Sequence, residues 1–475
     1  LKQSNRETAN QSQYQNFYMR EKPLFSTPHQ TQPSLSDPDM VTVTIMLIRT
    51  LLVSLLVSCH FTVFAQTADQ MRSAAEAEQA AVKAYRAREN GEFLLQIAKA
   101  NSDRPNHPRL IYNLAIAKTL NGLHTEALDL LERLAKMGLS YSFERNEDLK
   151  PLFENERFKA IVSQIASNRI PINASEKIFE VDDKTLIAES VAFDPRSGSY
   201  FVGSVHRRKI IEIDRTGKQS EYSRPEDGLW SVLGLRVDTA RGYLWAASSA
   251  VPQMAGFKES DKGRAGIFKY DLRTRKLLRA FLLPTGESHL LGDLLVDGEG
   301  NVYATDSVSP NIYRIDLRKN EISLFLSSDR FSSLQGLAFG KRNEELFVAD
   351  YSKGVFRIDV ATKAITQMKP ADHVTLLGID GLYYYRGQLI AIQNGVNPNR
   401  VVRFQLRGNE ISETRTLEAN HPDFMEPTLG TLIGDELIYV ANSQWPLVNE
   451  KAELTLEKLR PPVVLRLNLK KALAK

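Results

Sequence analysis

An apolar strand, a tight turn and a second apolar strand recur six times between Glu189 and Asn442. A repeat of this kind narrows the fold more than any other property of the chain. The copies are ESVAFDPRSGSYFVGS from Glu189, LGLRVDTARGYLWAAS from Leu233 and GDLLVDGEGNVYATD from Gly292. QGLAFGKRNEELFVAD follows from Gln335, DGLYYYRGQLIAIQN from Asp380 and TLGTLIGDELIYVAN from Thr428. Successive starts lie 44, 59, 43, 45 and 48 residues apart. In the fifth copy the turn falls at Arg386-Gly387, where glycine supplies the backbone freedom a hairpin needs. Each of the first five hairpins leads to a third strand (KIIEID, IFKYD, NIYRID, GVFRID, RVVRFQL) and usually to a weaker fourth. Four short strands in about 45 residues make a propeller blade, and six copies make a six-bladed β-propeller over 177–469. KIFEVD, Lys177 to Asp182, is expected to close the ring as the outer strand of the sixth blade, beside VVLRLNL at Val463.

The expected fold is therefore mainly β, with a small α-helical domain ahead of the propeller. Residues 71–167 carry a helical pattern, Ala-, Glu- and Lys-rich at first. Pro108 to Gly138 reads as two helices broken at Asn121-Gly122. The stretch resembles a tetratricopeptide repeat in Leu114, Ala115, Ala127, Leu131 and Leu134, with twelve residues between the two small packing positions. One or two such repeats fall short of an independent solenoid, so this domain is expected to lean on the propeller, as a prop or as a groove for a protein partner. Residues 1–45 are polar and rich in Gln, Ser, Thr and Pro, a composition for a disordered leader or an over-long gene start. Residues 46–65, from Met46 through Arg49 and an apolar run to Val63-Phe64-Ala65, read as a secretory signal peptide, too short for a membrane span. Export to the periplasm or beyond follows, or anchoring as a lipoprotein through Cys59, the sole cysteine. A net charge of +4 without a basic stripe argues against nucleic acid.

In a propeller the inner strands all start on one face, and the second strands all end there. The starts are Glu189, Leu233, Gly292, Gln335, Asp380 and Thr428; the ends are Ser204, Ser248, Asp306, Asp350, Asn394 and Asn442. Two carboxylates and an amide, Glu189, Asp380 and Gln335, thus point into one cavity. Hard oxygen donors suit Ca²⁺ or Mg²⁺. A polar channel mouth that merely hydrogen-bonds these groups accounts for the same pattern. His206, His289 and His421 belong near this face, where a histidine serves as base or polarises a carbonyl. Glu426, Thr428, Asn442 and Trp445 form a polar and aromatic cluster in blade six, with Trp230 entering blade two. Together with His206, Asp306 and Asn394 they are the candidate contacts to a small organic ligand such as a lactone or sugar. Trp230 and Trp245 serve inter-blade packing equally well. Ser248 to Gly266 carries the extra length of blade two and reads as a mobile lid with Val251, Met254 and Phe257 as an apolar patch.

At ESVAFD, QGLAF and IDGLYY the chain resembles the six-bladed gluconolactonase, regucalcin and senescence-marker proteins, and more distantly the paraoxonases and strictosidine synthases. The resemblance covers Lys177 to Leu469. It implies one divalent cation, in the first place Ca²⁺ with Mg²⁺, Mn²⁺ or Zn²⁺ as alternatives, held at the positions of Glu189, Gln335 and Asp380. Two departures stand out: Gln335 replaces an Asn in blade four, and Gly292, beside Asp293, replaces one in blade three. His289 and Asp293 enter from blade three as candidate proton acceptors. No Gly-rich phosphate loop, G-x-S-x-G elbow, H-E-x-x-H or Cys pair occurs. Two functions remain: a metal-assisted hydrolase of a lactone or related ester, and a non-catalytic module that binds protein or glycan.

Overall fold

Alternating apolar residues and glycine-bearing turns fold each repeat into an antiparallel sheet, and a computed structural model describes residues 68–474. The leader, the signal segment and Cys59 lie outside the described residues. Blade one runs Ala188–Asp194, Ser199–Ser204, Ile210–Ile213 and Gln219–Glu221, from the channel outwards. Blades two, three and four repeat that order from Ser231–Asp238, Leu291–Val296 and Leu334–Phe339. Blade five adds a two-residue parallel strand, Lys369–Pro370, outside Glu410–Ala419. In blade six, Gly430–Ile433, Glu436–Val440 and Val463–Asn468 are joined by Glu176–Glu180 as the outermost strand. A strand from before blade one thus completes blade six, and a six-bladed propeller results.

Side chains facing the neighbouring blade form the core. Phe201 and Ala192 of blade one meet Trp230, Leu244 and Phe268 of blade two, and equivalent clusters recur around the ring. Inner strands approach so closely that some positions accept no side chain. A Cβ on Gly336 of blade four would lie 2.4 Å from the Asp380 carbonyl oxygen and 2.5 Å from the Leu382 nitrogen of blade five.

Helices α1 (Ala68–Ala87), α2 (Asn90–Asp103), α3 (Pro108–Leu120) and α4 (His124–Lys136) form two antiparallel pairs. A 3-10 turn, Glu147–Leu152, and α5 (Glu156–Asn168) follow. Ala115 and Ala127, fully buried, let α3 and α4 close on each other, with Leu131, Leu134, Phe143, Leu149 and Ile161 filling the space around them. Among the described residues no helix is long and apolar enough to cross a membrane.

This bundle is docked on the rim of blades four and five. Arg104 donates to the Ser352 carbonyl at 3.1 Å and Arg133 to that of Asp372 at 2.7 Å. The Ser140 N–H donates to the Asn397 carbonyl at 2.7 Å, and Val396 packs on the helical core. The lid expected over Ser248–Gly266 is a docked loop instead. Val251 and Met254 are buried, Met254 within the blade one–two core, and the Ala255 N–H binds the His206 carbonyl at 2.9 Å. Apolar residues in a long loop found a core to join, which removes the exposed patch a mobile lid would show.

Candidate functional site

The pairing between the two inner strands slips in each of the first five blades, and always at the same place. The shifts fall between Ala188 and Ser190, Val232 and Gly234, Leu291 and Leu294, Leu334 and Leu337, and Ile379 and Leu382. A bulge leaves a residue outside the ladder and re-aims its side chain. The residues so released are Glu189, Leu233, Gly292 with Asp293, Gln335 with Gly336, and Asp380 with Gly381. Sequence repetition and backbone irregularity thus select the same ring of positions.

Glu189, Asp293, Gln335 and Asp380 are between 3 and 8 % exposed. The Trp445 indole N–H donates to Glu189 Oε2 at 2.5 Å, and the Thr428 hydroxyl holds the Glu189 carbonyl at 2.8 Å. Asn394 donates from Nδ2 to Asp380 Oδ2 at 2.7 Å, while the Tyr351 hydroxyl donates to Asn394 Oδ1 at 3.1 Å. Asp293 accepts the Leu294 N–H at 2.8 Å and lies 3.5 Å from the Arg236 guanidinium. Arg236 also donates to the carbonyls of Leu294 and Gly430, in blades three and six, and so spans the channel. Gln335 is loosely held, its Oε1 3.5 Å from Ser307 Oγ and its Nε2 3.4 Å from Ser333 Oγ.

Burial raises Glu189 well above the ordinary carboxylate range, the Asp380 charge adds to the rise, and the Trp445 N–H opposes it. Burial pushes Asp380 up to about 7 against the pull of Asn394. Asp293 is raised by burial and lowered in turn by Arg236. Glu426 stands near enough to Glu189 and Tyr351 to raise both. Carboxylates crowded in this way with one guanidinium among them favour protonation or a bound cation. The donor set, two carboxylates and an amide carbonyl, has the hard-oxygen chemistry of a Ca²⁺- or Mg²⁺-type ion. Among the described residues no three His, Cys, Asp or Glu side chains are grouped so that they could hold a metal ion by themselves.

Other expected residues do different work. His289 Nδ1 lies 2.8 Å from Asp306, and its ring meets the edge of Tyr313 on the third strand of its blade. It therefore stands behind the inner strand rather than with Glu189 and Asp380, and of the two candidate proton acceptors Asp293 is the one at the channel. Asp306 itself accepts the amides of Leu290, Val308 and Ser309. Asn442 binds the Pro461 carbonyl and the Val463 amide. These hydrogen bonds give Asp306 and Asn442 a part in holding the rim loops. Rim loops leave amides without a ladder partner, and a buried N–H needs an acceptor, so strand-end Asp and Asn turn inward to supply one. Asp350 does likewise for Ser332, Ser333, Ser352 and Lys353. His206 anchors the docked loop through the Gln253 carbonyl at 2.8 Å, and burial lowers its pKa. Trp230 belongs to the blade one–two core, edge-on to Phe268 and under the Arg264 guanidinium. His421 caps its own turn by accepting the Asp423 N–H.

Arg236, Tyr351 and Tyr383 were not among the expected site residues. A signal existed for two of them. The fourth positions of the six aligned copies are Ala192, Arg236, Leu295, Ala338, Tyr383 and Thr431, so the Arg and the Tyr stand out among small or aliphatic residues. Tyr383 uses its hydroxyl to accept the Gly430 N–H at 2.8 Å, joining blades five and six.

The fold and site together define a six-bladed propeller with a carboxylate-lined channel mouth. Solved structures similar to this chain include the PQQ-bound aldose sugar dehydrogenase of Streptomyces coelicolor, at 16% identity over 62% of this chain and 99% of that one, TM-score 0.42. A gluconolactonase of Xanthomonas campestris matches at 14% identity over 63% and 92%, TM-score 0.43. A luciferin-regenerating enzyme matches at 13% over 62% and 96%, TM-score 0.43. No protein-family model and no curated protein matches the sequence. Resemblance at this distance concerns the fold alone; the site rests on this chain's own residues.

Proposed function

We propose that the channel mouth is the active site of an exported, gluconolactonase-like hydrolase that opens a lactone or related ester. The observation that carries this reading is the convergence of buried Glu189, Asp293 and Asp380 at backbone bulges around one channel, with Glu426 close by and Arg236 beside Asp293. Glu189, Asp380 and the Gln335 carbonyl would hold a divalent cation, as the sequence resemblance implies. Such an ion, when bound, supplies Lewis-acid polarisation of a carbonyl and a lowered pKa for an attacking water. The Trp445 and Asn394 N–H groups fix one oxygen of each carboxylate and leave the orientation of the other set. Asp293, raised by burial, accepts the proton of the water as it adds to the acyl carbon and returns it to the ring oxygen as the C–O bond breaks. Tyr351 supports Asn394 from blade four, and Glu426 adds negative charge beside Glu189.

The test measures thermal stability against Ca²⁺, Mg²⁺, Mn²⁺ and Zn²⁺, and proton release from gluconolactone and simpler lactones. The melting temperature of the wild type should rise with cation concentration, and lactone should turn over. Asp380→Ala and Glu189→Gln should lose both responses while keeping the fold, because neither side chain fills a blade core. A wild type with neither response overturns the hydrolase reading. One observation favours a second reading, a non-catalytic binding module: Arg236 bridges three blades across the channel, and Glu189 and Asp380 already have side-chain partners.

A further inference from the structure

The helical domain grips three segments of the propeller, and these three meet around Asn394 and Gly395. Arg104 holds Ser352, next to Tyr351, whose hydroxyl donates to Asn394. Arg133 holds Asp372, in the segment leading to Gly378, whose carbonyl accepts the Gly395 N–H at 3.1 Å. The third grip is on Asn394's own loop. Ser140 binds Asn397, Val396 packs on the helical core, and Arg400 donates to the Met137 carbonyl at 2.8 Å and to Gln393 Oε1 at 2.9 Å. Asn394 therefore lies between two anchors, one residue after Gln393 and two before Val396. The junction has no slack: a Cβ on Gly395 would meet the Tyr351 hydroxyl at 2.5 Å and Gly378 Cα at 2.6 Å.

Simple adhesion does not call for this arrangement. Arg400 is fully buried, among the described residues it pairs with no carboxylate, and its guanidinium is held by carbonyls at the C-terminal end of α4. A buried charge is a poor means of stabilising an interface compared with apolar contact, but its directed N–H groups fix relative position. We propose that the helical domain is a positioning element of the channel mouth, holding the 394–399 loop in the one conformation from which Asn394 orients the Asp380 carboxylate.

The experiment follows the Asn394 side-chain amide in the full chain by NMR with ¹⁵N-asparagine, its signal assigned by loss in Asn394→Asp. Neither cation nor substrate is added, so failure here leaves the hydrolase reading standing, and failure of that reading leaves this one. Ser140→Pro removes the N–H that holds Asn397, and Val396→Ala removes the packing contact. Both should shift the Asn394 amide signal and speed its solvent exchange by roughly tenfold or more. Leu131→Ala, which opens a cavity inside the helical core while leaving every named loop anchor in place, should lower the melting temperature and leave that signal in place. If Ser140→Pro does not fold, Val396→Ala is read against Leu131→Ala alone. An unmoved signal in the loop-anchor variants overturns the proposal and makes the helical domain a prop. An equal shift in Leu131→Ala overturns it as well, since general loosening would then suffice.

Discussion

With Asp380 pushed up to about 7, ionising it works against the fold. In the unfolded chain the same carboxyl ionises near its ordinary value, about 4. The stability it contributes is therefore complete below pH 4, declines as pH rises towards 7 and is gone above it. The difference is roughly 4 kcal/mol at most. We expect the urea midpoint in EDTA to fall between pH 4.5 and pH 8, and Asp380→Asn to flatten much of that slope. A slope unchanged by the substitution would assign the pH dependence to other groups. A divalent cation opposes the same repulsion, so its stabilising effect should be larger at pH 8 than at pH 5. The charge imbalance was partly legible beforehand. Glu189 and Asp380 declared themselves as polar residues at the starts of apolar strands. Whether strand-end groups such as Asp306 and Asn442 faced a ligand or capped their own rim depended on which loop amides lacked partners. Only the folded loops decide that.

Elements owe their placement to contacts between inner strands, and Gly336 is the tightest of those near the site. Gly336→Ala would set a methyl against the Asp380 carbonyl and force blades four and five apart. We expect a loss of about 1–3 kcal/mol, seen as a lower denaturation midpoint, together with a weaker cation response through displacement of Asp380. An unchanged midpoint would mean that the inner strands adjust more easily than their spacing indicates. Repetition made the blades readable, since six hairpins of one period admit few other architectures. Helices α3 and α4 were readable from their paired alanines and leucines. The docked loop was not: Val251, Met254 and Phe257 look the same whether they cover a pocket or enter a core, and the difference lies in the space left between blades one and two. Arg236 was overlooked because a single arginine in an apolar alternation looks like a strand end until the channel shows where it reaches.

At the scale of the whole molecule, the helical bundle and the closing strand Glu176–Glu180 both bind parts of the propeller that come much later in sequence. Glu176 meets Arg466, 290 residues away. Contacts so distant close large loops and slow folding. A chain ending at Pro462 lacks Val463–Asn468, and Glu176–Glu180 then has no partner strand. We expect that shortened chain to be cleaved rapidly by protease near residues 170–185 and to melt without a single sharp transition, whereas the full chain resists and melts cooperatively. Equal resistance in the two would show that the ring holds without its clasp. The order of synthesis gives this clasp a further consequence. As the chain is made, the helices and the outer strand of blade six emerge before the six hairpins, and the strand that joins that outer strand to the ring emerges after them. From the making of Glu176–Glu180 until Val463–Asn468 follows, one sheet edge is exposed with nothing to pair with. During that interval the unpaired edge is a place where another chain can add a strand.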